Sequence, residues 1–211
     1  MQEHIVKALE WRYAVQGFDA SKKVGESELR TILESARLAP SSFGLEAWKF
    51  IVVENPEIRE RLKAASYDQS KVTGASHLIV LARRTDTRAN IVRERIERTA
   101  RVQDQDIASL DGFKGMLDGV IASRDDASLD AWNARQAYIA LGVMMETASL
   151  LGVDNAAMEG FDPKAVDTIL GLGEQHLAAT VMLALGYRGE DSAATRPKVR
   201  RDFDEVIAFV R

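Results

Sequence analysis

The chain of 211 residues contains no cysteine, which excludes disulfides, thiolate nucleophiles and thiolate metal sites. Histidine is almost as scarce. His4, His77 and His176 lie far apart and none falls in an H-x-x-x-H or H-E-x-x-H spacing, so no metal site is expected. Four prolines in the whole chain mark few breaks, and no Pro/Gly/Ser linker or fixed-period repeat divides it; one domain over residues 1–211 is the expectation. The longest apolar run, 137–153, is interrupted by Glu146 and Gly152 and is too short for a membrane span. Its N-terminus has charges scattered through it and no apolar signal core. A cytoplasmic protein is expected, since the absence of cysteine also suits a reducing compartment.

Catalytic fingerprints are missing too. Ser41 and Ser42 stand in A-P-S-S-F-G, not in a G-x-S-x-G elbow, and Gly171-Leu172-Gly173 lacks the third glycine of a dinucleotide loop. Lys and Arg number 28 against 32 Asp and Glu, a formal charge of -4 that disfavours general polyanion binding. The arginines from Arg83 to Arg101 alternate with Asp86, Glu94 and Glu97, so they read as an ion-paired helix surface; no nucleic-acid partner is expected.

What is present alternates between strand and helix. Helical spacing predicts a short first helix around Ile5–Leu9 and a second from Leu29 to Leu38, stopped by Pro40. Lys49–Val53 and His77–Ala82 read as strands, with a helix from Pro56 between them. The charged stretch from Asp86 to about Ala108 reads as helix, while Gly112, Gly115 and Gly119 loosen the next stretch. Ser128 is placed as the cap of a long helix ending at Leu151, with Gly152 beyond it. From Ala137 onward this helix is apolar on nearly every face, so burial all round is expected, with Met144, Met145, Leu150 and Leu151 as core. A strand at Asn155–Met158, a helix at Asp162–Leu170 and a strand at Ala179–Leu185 follow. The pattern predicts a sheet covered by helices, of the α/β or α+β type.

Two basic clusters stand out. Arg12 follows the first helix, and Lys198 and Arg200 alternate along R-P-K-V-R, where an extended chain would turn both side chains toward one phosphate.

Seven segments in order resemble the FMN-dependent nitroreductase family, in the oxygen-insensitive NAD(P)H nitroreductase and dihydropteridine reductase branch. They are W-R-Y-A-V-Q-G-F-D at 11–19, L-A-P-S-S-F-G-L-E-A-W-K-F-I-V-V at 38–53, G-A-S-H-L-I-V at 74–80, N-A-R-Q-A-Y-I-A-L-G at 133–142, M-E-G-F-D at 158–162, L-G-Y-R at 185–188 and P-K-V-R at 197–200. Residues 85–130 carry no such motif.

The resemblance implies an α+β fold with a mainly antiparallel central sheet covered by helices, and an intertwined homodimer with the long buried helix at its interface. It implies FMN bound at sites built from both chains and NADH or NADPH as electron donor. Arg12, Tyr13, Ala14, Lys198 and Arg200 are then cofactor-binding, the basic ones at the phosphate and ribityl chain. Pro40, Ser41, Ser42 and Gly44 form a loop on the flavin of the other subunit; Met158, Glu159 and Gly160 form a loop facing N5, where hydride arrives. Lys71 matches a lysine at the pyrimidine edge of the ring, a cation that raises electron affinity. Phe43 and Phe113 are candidates for the substrate channel.

The sequence departs from the family pattern at Gln16, where a second basic residue is usual, at Asp68, where asparagine is usual, and at Ala47 and Ala157, where proline is usual. The activity implied is ping-pong reduction of a nitroaromatic, quinone or similar flat acceptor. The alternative kept open by Gln16 and Asp68 is a flavin-binding storage, delivery or sensing protein with little turnover.

Overall fold

The computed structural model describes residues 2–211. Two helices, α1 (Gln2–Trp11) and α2 (Glu26–Arg37), precede strand β1 (Trp48–Val53). Then come α3 (Pro56–Ala65), the short α4 (Lys71–Gly74), β2 (His77–Arg84), α5 (Val92–Gln103), α6 (Asp111–Ala122), the 25-residue α7 (Asp126–Leu150), β3 (Asp154–Met158), α8 (Pro163–Leu170), β4 (Leu177–Gly186) and α9 (Phe203–Val206). The strands form one antiparallel sheet in the order β1-β2-β4-β3.

The central strands explain the layering. His77–Ala82 and Ala179–Leu185 are apolar at almost every position, so both faces must be covered. Period-two alternation sorts them: Leu78, Val80, Met182 and Ala184 point to one face, against Leu62 of α3 and Val166 of α8. Ile79, Leu81, Val181 and Leu183 point to the other, against Ile32 and Ala36 of α2 and Leu141, Met144 and Ala148 of α7. A third apolar cluster, built on Leu45, Ile96, Leu117, Ile121 and Trp132, holds α5 and α6 to the first half of α7.

Four local expectations are corrected. The glycine-bearing stretch 111–122 is a helix, α6, because Phe113, Leu117 and Ile121 recur at i, i+4 and i+8 and enter the third cluster, outweighing about 1 kcal/mol of lost propensity per glycine. Nothing in the structure explains why these positions are glycine, since an added Cβ at 112, 115 or 119 would meet open space. The charged helix α5 ends at Gln103, where Asp104 turns left-handed at φ 52°, and not near Ala108; a π turn (Thr87–Ile91) precedes it. The cap of α7 is Asp125, whose carboxylate accepts from the Ser128 N–H at 2.8 Å; Ser128 lies inside the first turn. Finally, α7 is not buried on all sides within the chain. Tyr138 (38% exposed) and Ile139 (42%) share an open face with Gly142, Leu151 is open too, and Met145 and Leu150 are only half-buried.

Among the described residues, no helix is long and apolar enough to cross a membrane, and no cluster of acids or histidines is placed to hold a metal ion.

Candidate functional site

The site begins where α1 ends. Arg12 donates its backbone N–H to the Ala8 carbonyl, closing the last helical turn, and the chain then runs beside β3, where Ala14 bridges to Asn155. Asp191 fixes this segment by accepting from the Gln16 N–H (2.8 Å), the Gly17 N–H (3.3 Å) and the Tyr13 hydroxyl (3.0 Å). These donors hold its carboxyl below the ordinary carboxylate range, the Gln16 amide foremost. Tyr13, desolvated and bonded to Asp191, is pushed up to about 12. Arg188 completes the clamp: it pairs with buried Asp154 and lies 4.2 Å over the Trp11 ring and 4.6 Å over the Tyr13 ring. The start of the chain is thereby tied to the segment that carries Lys198 and Arg200.

That tie brings three cations together. Lys198 donates to the Leu9 carbonyl at the end of α1 and lines a cleft of about 340 Å³ with Glu10, Trp11, Tyr13 and Arg196. Partial burial lowers the Lys198 ammonium from its ordinary value, and the charges of Arg12 and Arg200 lower it further. Arg12 is likewise lowered by burial and by Arg200. Among the described residues none of the three forms an ion pair with an acid. Partly desolvated Arg12 and Lys198, repelling each other and the exposed Arg200, are unfavourable for folding and suit a polyanionic group such as a phosphate monoester.

Lys71 adjoins the same N-terminal segment, with its ammonium 3.4 Å from the Gln16 amide oxygen and its pKa lowered by burial. The Gln16 amide nitrogen donates to the Ala14 carbonyl, so Gln16 stands between Lys71 and the backbone at 14. Asp68 is exposed three residues before Lys71, in a left-handed conformation at φ 55°. The loop after β3 is held from two directions: Gln69 donates to the Gly160 carbonyl at 2.6 Å, and the Tyr138 hydroxyl donates to the Glu159 carboxylate at 2.6 Å. Met158 is the last residue of β3, opposite Met182.

The remaining candidates form a second group. Pro40 and Phe43 are exposed at a turn in which Phe43 (φ 55°), Gly44 (φ 63°) and Glu46 (φ 53°) are all left-handed. Ser41 Oγ accepts from the Glu46 N–H at 3.0 Å, and the Ser42 N–H donates to Gln136 of α7 at 2.8 Å. Arg95 of α5 lies on Gly44 so closely that an added Cβ would sit 2.9 Å from its guanidinium. Phe113 is half-buried against the third cluster, so packing accounts for it. No hydrogen bond among the described residues joins this group to the first. Gln136 and Tyr138, which hold the two groups, are two residues apart on α7, about 200° around its axis.

Four of the seven arginines from Arg83 to Arg101 are ion-paired, Arg83 with Asp130 and Arg84 with Asp86 and Glu94 at the end of β2, Arg88 with Asp126, and Arg98 with Glu46; among the described residues Arg93, Arg95 and Arg101 form no ion pair. Arg84 draws the Asp86 carboxyl down to about 2. Asp191, Asp154 and Gln69 are site-forming residues outside the seven motif segments, and Arg188, which closes the L-G-Y-R segment, carries a role that the resemblance did not assign. Asp191 alone had a local signal, an Asp placed before a Ser-Ala-Ala turn, whose Ala193 N–H it caps at 2.9 Å.

The nitroreductase family model matches residues 9–187, which includes the motif-poor stretch 85–130. The chain belongs to the nitroreductase family. A protein of Staphylococcus saprophyticus provisionally named an NAD(P)H nitroreductase is 38% identical over 218 aligned positions, covering 100% of this chain and 98% of the relative. One of Staphylococcus haemolyticus with the same provisional name is also 38% identical, covering 100% and 99%. Among solved structures, a Bacillus subtilis protein provisionally named a nitroreductase superposes with a TM-score of 0.87 at 21% identity over 100% of both chains. Another of that provisional name, from Exiguobacterium sibiricum and solved in complex with FMN, gives 0.82 at 20% identity over 99% of this chain and 96% of its own. The antiparallel sheet with its covering helices is thus the nitroreductase-like α+β fold.

Proposed function

We propose that this nitroreductase-family chain is a homodimeric FMN-dependent NAD(P)H oxidoreductase that reduces nitroaromatics, quinones or similar flat acceptors by a ping-pong cycle. The observation that carries the reading is the set of Arg12, Lys198 and Arg200, gathered without acid partners in ion pairs and adjoining the segment that meets Lys71. A phosphate monoester with a reducible ring fits that donor set. When bound, FMN supplies the redox chemistry, taking hydride from NAD(P)H and passing reducing equivalents to the acceptor.

The chain's own residues bind and orient. Arg12, Lys198 and Arg200 would hold the phosphate, while Lys71 would supply a positive charge where the ring becomes electron-rich. The bonds from Gln69 and Tyr138 hold the 158–160 loop in place. No residue need transfer a proton as a general acid.

The dimer is supported by the same geometry. The Pro40–Gly44 loop and the 158–160 loop are bonded to nearly opposite faces of α7, an arrangement in which a second copy would bring its own loop to complete each cofactor site. The open apolar face at Tyr138, Ile139 and Gly142 suits such a partner.

Steady-state rates with NAD(P)H and a quinone varied together test the reading: parallel double-reciprocal lines are expected, and intersecting lines contradict the ping-pong cycle. Sedimentation of an FMN-loaded monomer at low micromolar concentration would contradict the dimer. Bound FMN without NAD(P)H oxidation would favour a storage or sensing role.

A further inference from the structure

Arg59 is an anomaly. It belongs to α3, is only 8% exposed, and forms no ion pair among the described residues. A buried guanidinium without a carboxylate is costly, and desolvation lowers its pKa. Its donors go instead to three carbonyls: Nε to Val72 at 2.9 Å, Nη2 to Ala75 at 2.6 Å and Nη1 to Ser76 at 3.2 Å. All three lie in or just after α4, whose first residue is Lys71.

A helix of four residues leaves nearly all its carbonyls without partners inside the helix, and it has little cooperative stability of its own. Besides the bond from Lys71 to Gln16, two contacts hold α4. Val72 is fully buried in the first apolar cluster, and the Arg59 fork closes the C-terminal end, where a cation also meets the negative end of the peptide dipoles. A lysine has no planar fork and could not reach the three carbonyls together. The segment that carries Lys71 is thus bonded by a residue twelve positions before Lys71 that lies outside the two basic clusters.

We propose that Arg59 is a positioning residue: by gripping the Val72, Ala75 and Ser76 carbonyls it fixes α4 and so the placement of the Lys71 ammonium toward the cofactor. This rests on the reading of Lys71 as the cation at the flavin edge. Cavity-facing neighbours of Arg59 include Lys23, Glu54, Glu60, Thr73 and His77, and none of them takes over its bonds to the carbonyls.

The test is a cycle of variants, Arg59→Met, Arg59→Lys, Lys71→Ala and Arg59→Met with Lys71→Ala, each loaded with FMN and titrated anaerobically for its midpoint potential. Lys71→Ala is expected to lower the potential. Arg59→Met and Arg59→Lys should both lower it, and Arg59→Met should add nothing once Lys71 is gone. An unmoved potential in Arg59→Met, an equal shift with and without Lys71, or a wild-type potential in Arg59→Lys would each overturn the proposal. Wild-type protein that binds no FMN, or an unmoved potential in Lys71→Ala, would overturn the reading beneath it as well. Should Arg59→Met not fold, hydrogen exchange of the cofactor-free protein decides with Arg59→Lys. The Gly74 and Ala75 amides, bonded within α4 to Ser70 and Lys71, should exchange about tenfold faster or more, and unchanged exchange would refute the grip.

Discussion

Replacing both Lys198 and Arg200 by alanine should move cofactor affinity and protein stability independently. In the cofactor-free chain Lys198 and Arg200 repel each other and Arg12, an effect that adds to burial, the larger cause, in lowering the pKa values of Lys198 and Arg12. Their removal relieves that repulsion and costs the bond from Lys198 to the Leu9 carbonyl and the local bond from Arg200 to the Val199 carbonyl. Both effects are small at a partly exposed site, so stability should change by less than about 1 kcal/mol. Affinity behaves differently. Truncating charge-assisted partners of a bound anion typically costs about 2 to 5 kcal/mol, equivalent to a roughly 30- to 4,000-fold rise in Kd at 1.4 kcal/mol per decade. The assay is a fluorescence titration of cofactor-free protein with FMN, paired with thermal melting of the same samples. Unchanged FMN affinity would show that these are solvated tail charges. A loss of affinity accompanied by a collapse in melting temperature would assign them a folding role instead.

Three further outcomes are expected. Gln16→Lys should raise the flavin midpoint potential: a cation about 4 Å from developing charge is worth at most about 4 kcal/mol at an effective dielectric near 20, which exposure at Gln16 reduces to about 1 to 2 kcal/mol, or about 20 to 40 mV for two electrons, measured by anaerobic titration. Gly44→Ala should destabilise the chain by about 2 kcal/mol, visible as a melting shift of about 4 to 8 °C, because φ 63° disfavours a side chain and the new Cβ meets Arg95 at 2.9 Å. Asp86, held by Arg84 at about 2 against an ordinary 3.8, is depressed in the folded state, so its contribution is present above 3.8 and is lost as pH falls through about 2. Acid unfolding of Asp86→Asn should accordingly be flatter between those values.

The layered fold was legible because its central strands carry apolar residues on both faces and its helices carry them at helical spacing, signals that tertiary packing reinforces. Where local chemistry competed with packing, sequence reasoning failed: three glycines argued against α6, yet Phe113, Leu117 and Ile121 held it together. Ser128 was a plausible cap, but Asp125 stands one turn earlier and has the acceptor. At the site, Lys198 and Arg200 could be singled out by their alternation, whereas the clamp that delivers them, Arg188 with Asp154 and Asp191 with the Gln16 and Gly17 amides, joins positions more than thirty residues apart. No local pattern encodes such a pairing. The all-round apolar pattern of α7 likewise cannot say which face packs within the chain and which is left open at Tyr138 and Ile139.

The central claim is that this nitroreductase-family protein uses the Arg12, Lys198 and Arg200 cluster to hold FMN for reduction by NAD(P)H. The visible absorption spectrum of the purified protein, reconstituted with FMN, gel-filtered and then treated anaerobically with NADH and NADPH, tests it most directly. The account predicts that the yellow flavin bands co-elute with the protein and bleach on addition of at least one of the two donors. A protein that emerges colourless after reconstitution, or whose bound flavin neither donor bleaches, would contradict it.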